Sequence, residues 1–269
     1  MKIEARRVPA EEISAMREAY RAEAGCQIIY DSFLPRGHAD AYAVSIDDRA
    51  VGYGALANRY YPRQVIEFYV VPEARIDALE MFRRLLAVTR ATHVRAQTNI
   101  PFMTRMLFDT TKNIAAEKVL FTDNSAHAAT VGAWTESARR APAQPHLPQI
   151  PAPEGSVFRH ITEAEAEQFS KVQEVLTNWV LQVNGEIVAT AGYLTHYNPP
   201  YADIFMAVAD TARRRGYGGY IVQEISCVAR NEGKIPAARC DTTAEGSRRA
   251  LERGGLVACG HLVFGEVAT

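Results

Sequence analysis

The sequence predicts an α/β protein made of two similar domains in tandem, each a mostly antiparallel mixed sheet flanked by helices. One observation is a strand–turn–strand pattern that begins at Ala41 and again at Asn178, 137 positions later. The second is a proline-rich stretch between the two copies. The third is that, in each half, neighbouring hairpin strands are followed by strand–helix crossovers, an order that builds a mixed sheet with helices on both faces.

The repeated pattern consists of two alternating strands around a two-residue turn. Ala41–Leu56 turns at Asp47-Asp48, and Asn178–Tyr193 turns at Asn184-Gly185. Asn-Gly is the strongest short hairpin signal, because both central positions of the favoured turn need a positive φ. The same shift also aligns a tyrosine, a proline and a strand end further along without a gap. We therefore infer a duplicated domain.

A linker is predicted between the copies. Ala141–Gly155 holds five of the 13 prolines of the chain, and each proline fixes φ and removes a backbone hydrogen-bond donor. Neither a helix nor an inner strand continues through such a stretch, so we expect an extended spacer. The predicted organisation is a first domain at 1–140, a proline-rich linker at 141–155 and a second domain at 156–269.

Hydrophobic periodicity predicts the remaining elements, with strands assigned to alternating runs and helices to apolar residues three and four positions apart. In the first half the elements are strand Lys2–Arg7, helix Ala10–Ala24, the hairpin, strand Val65–Val71, helix Ile76–Ala91, strand Val94–Thr98, helix Phe102–Thr110 and strand Lys118–Thr122. In the second half they are strand Val157–Ile161, helix Glu163–Val175, the hairpin, strand Ala202–Val208, helix Gly218–Asn231, strand Ala237–Asp241, helix Ser247–Arg253 and strand Leu262–Glu266.

Composition excludes several classes of protein. With 30 basic and 31 acidic residues the formal charge is −1, which gives no support to a nucleic-acid or membrane-surface partner. No apolar run is long enough to cross a bilayer, and the polar start is no secretory signal, so we expect a cytoplasmic protein. The four cysteines have neither disulfide-framework nor metal-ligand spacing, and the zinc motif HExxH does not occur, so no metal site is predicted.

The stretch most informative about function is Val208–Gly219, which joins a predicted strand to a predicted helix. It contains three arginines and three glycines around one tyrosine: Arg213, Arg214, Arg215, Gly216, Tyr217, Gly218 and Gly219. The glycines leave backbone open to a ligand, and the first N–H groups of the helix point outward from the positive end of its dipole. Guanidinium groups suit phosphate oxygens. The stretch therefore predicts an anion site that fits a diphosphate.

The spacing within this stretch excludes two kinds of nucleotide-binding loop and matches a third pattern. The nucleotide loop GxxxxGK[ST] is absent, and the dinucleotide pattern GxGxxG would need glycine where Ile221 stands. The pattern [QR]xxGx[GA] is met by Arg213, Gly216 and Gly218. In this respect the sequence resembles the GNAT acetyltransferase superfamily, whose members hold the diphosphate of acetyl-CoA at such a loop.

The resemblance implies an N-acetyltransferase that passes an acetyl group from acetyl-CoA directly to an amine, on a small molecule or on a protein. It implies that Met206, Ala207 and Val208 pair with the pantetheine amides where the strand splays from its neighbour. It also implies a general base near the start of that strand, for which Asp203 is the candidate. A solvated carboxylate on an edge strand is an equally good interpretation of Asp203.

Two positions depart from the pattern of the GNAT superfamily. Ala244 stands where asparagine is usual, and Leu251 stands where members usually have the tyrosine that protonates the CoA thiolate. Four other side chains are candidates for this acid, as is water: Cys259, His261, Tyr217 and Tyr220. The missing tyrosine leaves a second function open, a non-catalytic CoA-binding regulator or a partner-binding scaffold.

The first half resembles a GNAT domain that has lost its acetyl-CoA loop. The 137-residue shift places Ile76, Leu79 and Met81 at the positions of Arg213, Gly216 and Gly218, so side chains would fill the phosphate cradle. Glu67 lies near the Asp203 position, either as a structural residue or facing the same groove. We expect the first half, or a second copy in a homodimer, to close the acceptor groove, with the aromatic loops Tyr60–Pro62 and Tyr197–Tyr201 at its rim.

Overall fold

A computed structural model describes residues 1–124, 149–165 and 179–268 of the chain. The chain forms two compact units, and each unit is made of more than one segment of the sequence. The first unit comprises Met1–Lys118, His196–Asn198 and the described residues from Gly260 onward. The second comprises the described residues of Val119–Thr195 and of Pro199–Cys259.

In the first unit the sheet is mostly antiparallel. Its strands are β1 (Ile3–Val8), β2 (Ala39–Ile46), β3 (Arg49–Ala57), β4 (Gln64–Val70) and β5 (His93–Gln97), with parts of β6 (Thr111–Asp123) and β12 (Leu256–Val267). The pairs from β1 to β4 are antiparallel, β4 and β5 are parallel, and β5 is antiparallel to residues 262–266 of β12. The helices are α1 (Ser14–Ala24), α2 (Ala78–Thr89) and α3 (Pro101–Thr110).

The second unit repeats this pattern of pairing. Its strands are β7 (Ser156–His160), β8 (Trp179–Val183), β9 (Glu186–Leu194), β10 (Tyr201–Val208) and β11 (Ile235–Asp241), with the remaining parts of β6 and β12. The pairs from β7 to β10 are antiparallel, and β10 is parallel to β11. The helices are α4 (Tyr217–Asn231) and α5 (Glu245–Arg253), and α4 packs its fully buried Ile221, Val222 and Ile225 against the sheet.

Both predicted hairpin turns are confirmed. Asp47 and Asp48 have φ of 44° and 65°, and Asn184 and Gly185 have φ of 49° and 88°, as this turn requires. The first hairpin also has an irregularity in register after Val44, and the second has one after Leu181, which is the same position under the 137-residue shift. A shared turn and a shared irregularity support the inferred duplication, because bulges are kept as structural features within families.

The predicted elements differ from the structure mainly at their ends. Strands β6 and β12 are much longer than the predicted Lys118–Thr122 and Leu262–Glu266, and their outer parts were not predicted because apolar and polar residues do not alternate there. The helices predicted from Ala10 and from Ile76 each begin as 3-10 turns, at Ala10–Ile13 and Pro72–Asp77. Most of the predicted helix Glu163–Val175 lies outside the described residues, as do residues 141–148 of the predicted linker. The predicted domain boundaries stay a prediction.

A buried charged cluster joins α1 to the sheet of the first unit. Arg17 lies with its guanidinium 3.0 Å from Asp31 and 3.4 Å from Glu67, and Tyr53 donates a 3.0 Å hydrogen bond to Glu67. Arg21 forms a second ion pair with Asp31 at 2.8 Å. Glu67 is fully buried in this cluster, so the expectation that it faces a groove was wrong and its structural interpretation holds.

Helices of the described residues are too short or too polar to cross a lipid bilayer.

Candidate functional site

Strand β10 separates from β11 partway along its length. The parallel pairing runs from Tyr201–Ile235 to Ile204–Ala238 and ends there, four residues before β10 itself ends. On its other side β10 stays paired with β9 as far as Val208. From Phe205 to Val208, the edge of β10 on the side of β11 is therefore not paired with β11. This stretch includes the predicted binding residues Met206, Ala207 and Val208. Main-chain groups along such an edge can pair with an extended ligand.

The N-terminus of α4 lies beside the end of β10. A β-carbon built at Gly218 would lie 3.8 Å from Val208 Cγ2 and 3.9 Å from Met206 Cε, so both side chains of β10 pack against the first turn of the helix. Gly216 is the N-cap, and its position carries no side-chain cap hydrogen bond. The first N–H groups of α4 therefore have no capping side chain, and an anion is favoured there by the helix dipole.

The three glycines of this loop lie in different structural environments. Gly216 is exposed with φ +87°, and a β-carbon there would have no heavy atom of the described residues within 4 Å. A β-carbon at Gly218 would lie 3.0 Å from Ala250 Cβ, and one at Gly219 would lie 3.1 Å from Arg253 Cβ. Gly218 and Gly219 therefore let α5 pack closely on α4, and the prediction that they also leave room for a ligand stays a prediction.

The predicted arginines surround the helix start on the surface. Arg213, Arg214 and Arg215 are all exposed, and Arg214 has a left-handed φ of 65°. Arg213 forms an exposed 2.7 Å ion pair with Asp210, whereas Arg214 and Arg215 form no ion pair among the described residues. Two adjacent guanidinium groups without a carboxylate partner repel each other, and an anion would relieve that repulsion. Tyr217, the first residue of α4, is buried.

Asp203 lies near the point where β10 and β11 part. Its side chain is 7% exposed and lies 3.2 Å from the guanidinium of Arg239, which is the first β11 residue beyond the paired segment. The interpretation of Asp203 as a solvated carboxylate on an edge strand was wrong, because β10 lies between β9 and β11 and buries it. One sequence feature could have indicated Arg239: it is a single charged residue in the otherwise apolar run from Ile235 to Cys240.

The candidates for the general acid occupy different environments. Leu251 is 4% exposed and packs in the core of the second unit. Tyr217 and Tyr220 belong to the same core, and burial raises the pKa of Tyr220. His261 is exposed and Cys259 is half-buried. The four candidates lie on two elements, Tyr217 and Tyr220 on α4 and Cys259 and His261 on β12, and the assignment of an acid stays open among them and water.

In the described residues of the first unit, the equivalent space is almost closed. Its β4–β5 pairing covers only Gln64–His93 and Val65–Val94, but the space beyond is a cavity of about 10 Å³ that side chains almost fill, which is room for about one water. These side chains include Tyr20, Ile28, Tyr30, Ile66 and Met103. Met81, at the position equivalent to Gly218, is fully buried in the core.

The loop predicted as an aromatic rim has another role. Tyr197, Asn198 and Tyr201 are all buried, whereas Pro199 and Pro200 are exposed, so the two tyrosines of this loop do not present their rings to an open groove. Within the first unit, Asn198 accepts a 2.7 Å hydrogen bond from the Ile28 N–H and donates one of 2.8 Å to the carbonyl of Cys26. Tyr60 of the other predicted rim loop is exposed.

Comparison with known proteins identifies the family. The profile of the acetyltransferase (GNAT) family matches residues 144–255, and that of an acetyltransferase (GNAT) domain matches residues 9–124. The chain belongs to the GNAT acetyltransferase family. The predicted resemblance and the predicted tandem arrangement are thus confirmed, with one GNAT domain in each half. No curated protein matches the sequence of this GNAT chain.

Solved structures share the fold of this GNAT protein at low sequence identity. An acetyltransferase from the GNAT family of Colwellia psychrerythraea aligns over 100% of both chains with 12% identity and a TM-score of 0.70. A GCN5-related N-acetyltransferase from Sphaerobacter thermophilus covers 99% of this chain and 96% of its own, with 16% identity and a TM-score of 0.59. A tandem GNAT protein from the clavulanic acid biosynthesis pathway covers 100% and 99%, with 15% identity and a TM-score of 0.57.

Proposed function

We propose that this GNAT protein is an N-acetyltransferase that binds acetyl-CoA in its second unit and acetylates an amine on a small molecule or a protein. The observation that carries the proposal is the edge of β10 left by β11 after Ile204, which ends beside the N-terminus of α4. An extended chain that ends in a diphosphate matches these two features in order. Bound acetyl-CoA supplies the acetyl group as an activated thioester.

Different residues of the second unit would bind different parts of acetyl-CoA. The backbone N–H groups at the start of α4, with Arg214 and Arg215, would hold the diphosphate through charge-assisted hydrogen bonds. The main chain from Met206 to Val208 would pair with the amides of the pantetheine arm. The site fits because Gly216 is open and exposed and no side chain caps the helix. Fixing the thioester in this way supplies much of the acceleration, since position and orientation lower the barrier.

We assign the removal of the amine proton to Asp203, either directly or through a water. Its carboxylate is buried where β10 and β11 part, so it lies at the inner end of the proposed binding edge. Arg239 holds the carboxylate in place through the 3.2 Å ion pair. A general base of this kind must be oriented by its neighbours, and the ion pair provides that orientation.

A second function, a CoA-binding regulator or scaffold without catalysis, is favoured by Leu251. Its side chain is part of the core and has no proton to give to a departing thiolate. A thiol-release assay with acetyl-CoA and a panel of amines separates the two functions. Turnover with any amine supports the transferase, whereas tight acetyl-CoA binding without turnover supports the regulator or scaffold.

A charge change at Gly216 tests the binding site. We expect Gly216→Asp to weaken acetyl-CoA binding at least about 10-fold relative to Gly216→Asn, because a negative charge at the helix start opposes the diphosphate. Asp and Asn have the same size, both tolerate a positive φ and both can cap a helix, so their difference isolates charge. Isothermal titration calorimetry gives both affinities. Equal binding by the two variants would place the diphosphate elsewhere.

A neutral substitution at Asp203 tests the proposed base. We expect Asp203→Asn to lower kcat about 100-fold or more while the Kd for acetyl-CoA stays unchanged. The deficit should shrink as the pH rises, because an amine that is already deprotonated needs no base. Asp109→Asn removes an exposed ion-paired carboxylate of the first unit and should leave kcat unchanged. A deficit of the same size at every pH would show that Asp203 only supports the structure.

A further inference from the structure

Arg253, on α5, lies against the helix start that forms the proposed diphosphate site. Its Cβ would be 3.1 Å from a β-carbon at Gly219, the third residue of α4. Gly219 thus brings the base of the Arg253 side chain onto the first turn of α4. Arg253 is itself exposed, and the long aliphatic stem of an arginine carries its charged end well beyond the surface on which it packs.

The charged neighbours of Arg253 on α5 form ion pairs, whereas Arg253 has no carboxylate partner in the part of the chain that the structure describes. Arg248 lies 3.1 Å from Glu252, and Arg249 lies 3.2 Å from Glu245. Among the described residues Arg253 forms no ion pair, and the same is true of Arg214 and Arg215 on the loop before α4. Three arginines for which the described residues supply no carboxylate partner therefore lie near one helix N-terminus, and they come from two separate elements of the fold.

This positive charge exceeds what a diphosphate needs. A diphosphate carries about two negative charges, which Arg214, Arg215 and the helix dipole can balance. Coenzyme A carries a third phosphate, on the 3′ position of the ribose whose 5′ position bears the diphosphate. A group bound to that ribose lies close to the diphosphate, as Arg253 lies close to the helix start.

We propose, building on the proposed acetyl-CoA site, that Arg253 binds the 3′-phosphate and makes the second unit prefer coenzyme A over 3′-dephospho-coenzyme A. Arg253 is then a specificity-determining residue supplied by α5, while the loop and α4 supply the diphosphate contacts. Arginine suits this role, because its planar fork can donate two parallel hydrogen bonds to one phosphate.

The test compares two ligands on three forms of the full-length protein by calorimetry. For the wild type we expect coenzyme A to bind at least about 10-fold more tightly than 3′-dephospho-coenzyme A, as for one charge-assisted contact. In Arg253→Ala that preference should disappear through weaker binding of coenzyme A, with the affinity for the dephospho form unchanged. Arg248→Ala, which removes an equal charge from the same helix, should leave both affinities unchanged.

The outcomes separate this inference from the proposed function. If Arg253→Ala weakens the binding of both ligands equally, or changes the binding of neither, the assignment of Arg253 is overturned while the proposed acetyl-CoA site remains. If the wild type binds neither ligand, the proposed function fails and the inference fails with it. Unchanged binding of the dephospho form by Arg253→Ala also shows that the variant is folded, so a lost preference cannot come from unfolding.

Discussion

Replacing Arg17 with alanine should lower the free energy of unfolding of the first unit by about 3–5 kcal/mol. The guanidinium of Arg17 forms ion pairs with both Glu67, at 3.4 Å, and Asp31, at 3.0 Å. All three side chains are at most 8% exposed. Its removal leaves the Glu67 carboxylate buried with only the Tyr53 hydroxyl as a donor. Urea denaturation followed by circular dichroism measures the loss.

Two variants show whether burial or charge pairing causes the effect. Arg6→Ala breaks an ion pair whose side chains are 69% and 46% exposed, and it should cost less than about 1 kcal/mol. Glu67→Gln removes the buried charge and keeps an acceptor for Tyr53, so its cost should be smaller than that of Arg17→Ala. A loss for Arg17→Ala no larger than that for Arg6→Ala would contradict the prediction.

The pH dependence of stability gives a second measure of the same cluster. Burial raises the pKa of Glu67 above its ordinary value of 4.5, against the opposing effect of Arg17. A carboxyl group whose pKa is raised by folding binds its proton more tightly in the folded state, so its contribution is fully present below pH 4.5 and is lost as the pH rises through the folded pKa. Glu67→Gln should remove this decline from the measured stability profile.

Patterns local in the sequence predicted much of the fold. The two hairpins were found because turn residues and strand alternation act over a few neighbouring positions, and the duplication followed from their spacing. The outer parts of β6 and β12 were missed because their residues do not alternate, and the two strands are neighbours in the sheet although they lie more than 100 positions apart in the sequence. Such pairing stabilises residues whose own sequence shows no alternation.

The candidate site was predictable where its chemistry lies in one segment and not where it depends on packing. The loop from Arg213 to Gly219 was recognised from spacing alone. The partner of Asp203 was not, because Arg239 is 36 positions away on another strand, and neither was the contact of Arg253 with Gly219. The packing contact of Gly218 with α5 was missed for the same reason, because a glycine in a ligand loop and a glycine at a helix contact look alike in sequence.

The first unit also depends on two carboxamides that hold one buried segment of main chain. Asn198 binds the Ile28 N–H and the Cys26 carbonyl, while Gln97 accepts a 2.6 Å hydrogen bond from the Ile29 N–H and donates one of 2.7 Å to the Gln27 carbonyl. Each amide therefore binds the main chain as a neighbouring strand would, and the two alternate along it. Asn198 is 1% exposed and 170 positions from Ile28, a distance at which no sequence pattern predicts a contact.

Asn198→Ala should lower the free energy of unfolding by about 2–4 kcal/mol, since a buried donor and a buried acceptor each lose a partner. Asn198→Asp should also destabilise the unit, because it keeps the acceptor for Ile28 but sets an oxygen against the Cys26 carbonyl. Asn58→Ala removes an exposed amide that binds Asp40 and should change stability by less than about 0.5 kcal/mol. Urea denaturation gives these values, and hydrogen exchange should show faster exchange of the Ile28 amide in Asn198→Ala, where that amide loses its acceptor. A protected Ile28 amide in Asn198→Ala would mean that Gln97 and the surrounding side chains hold the segment alone.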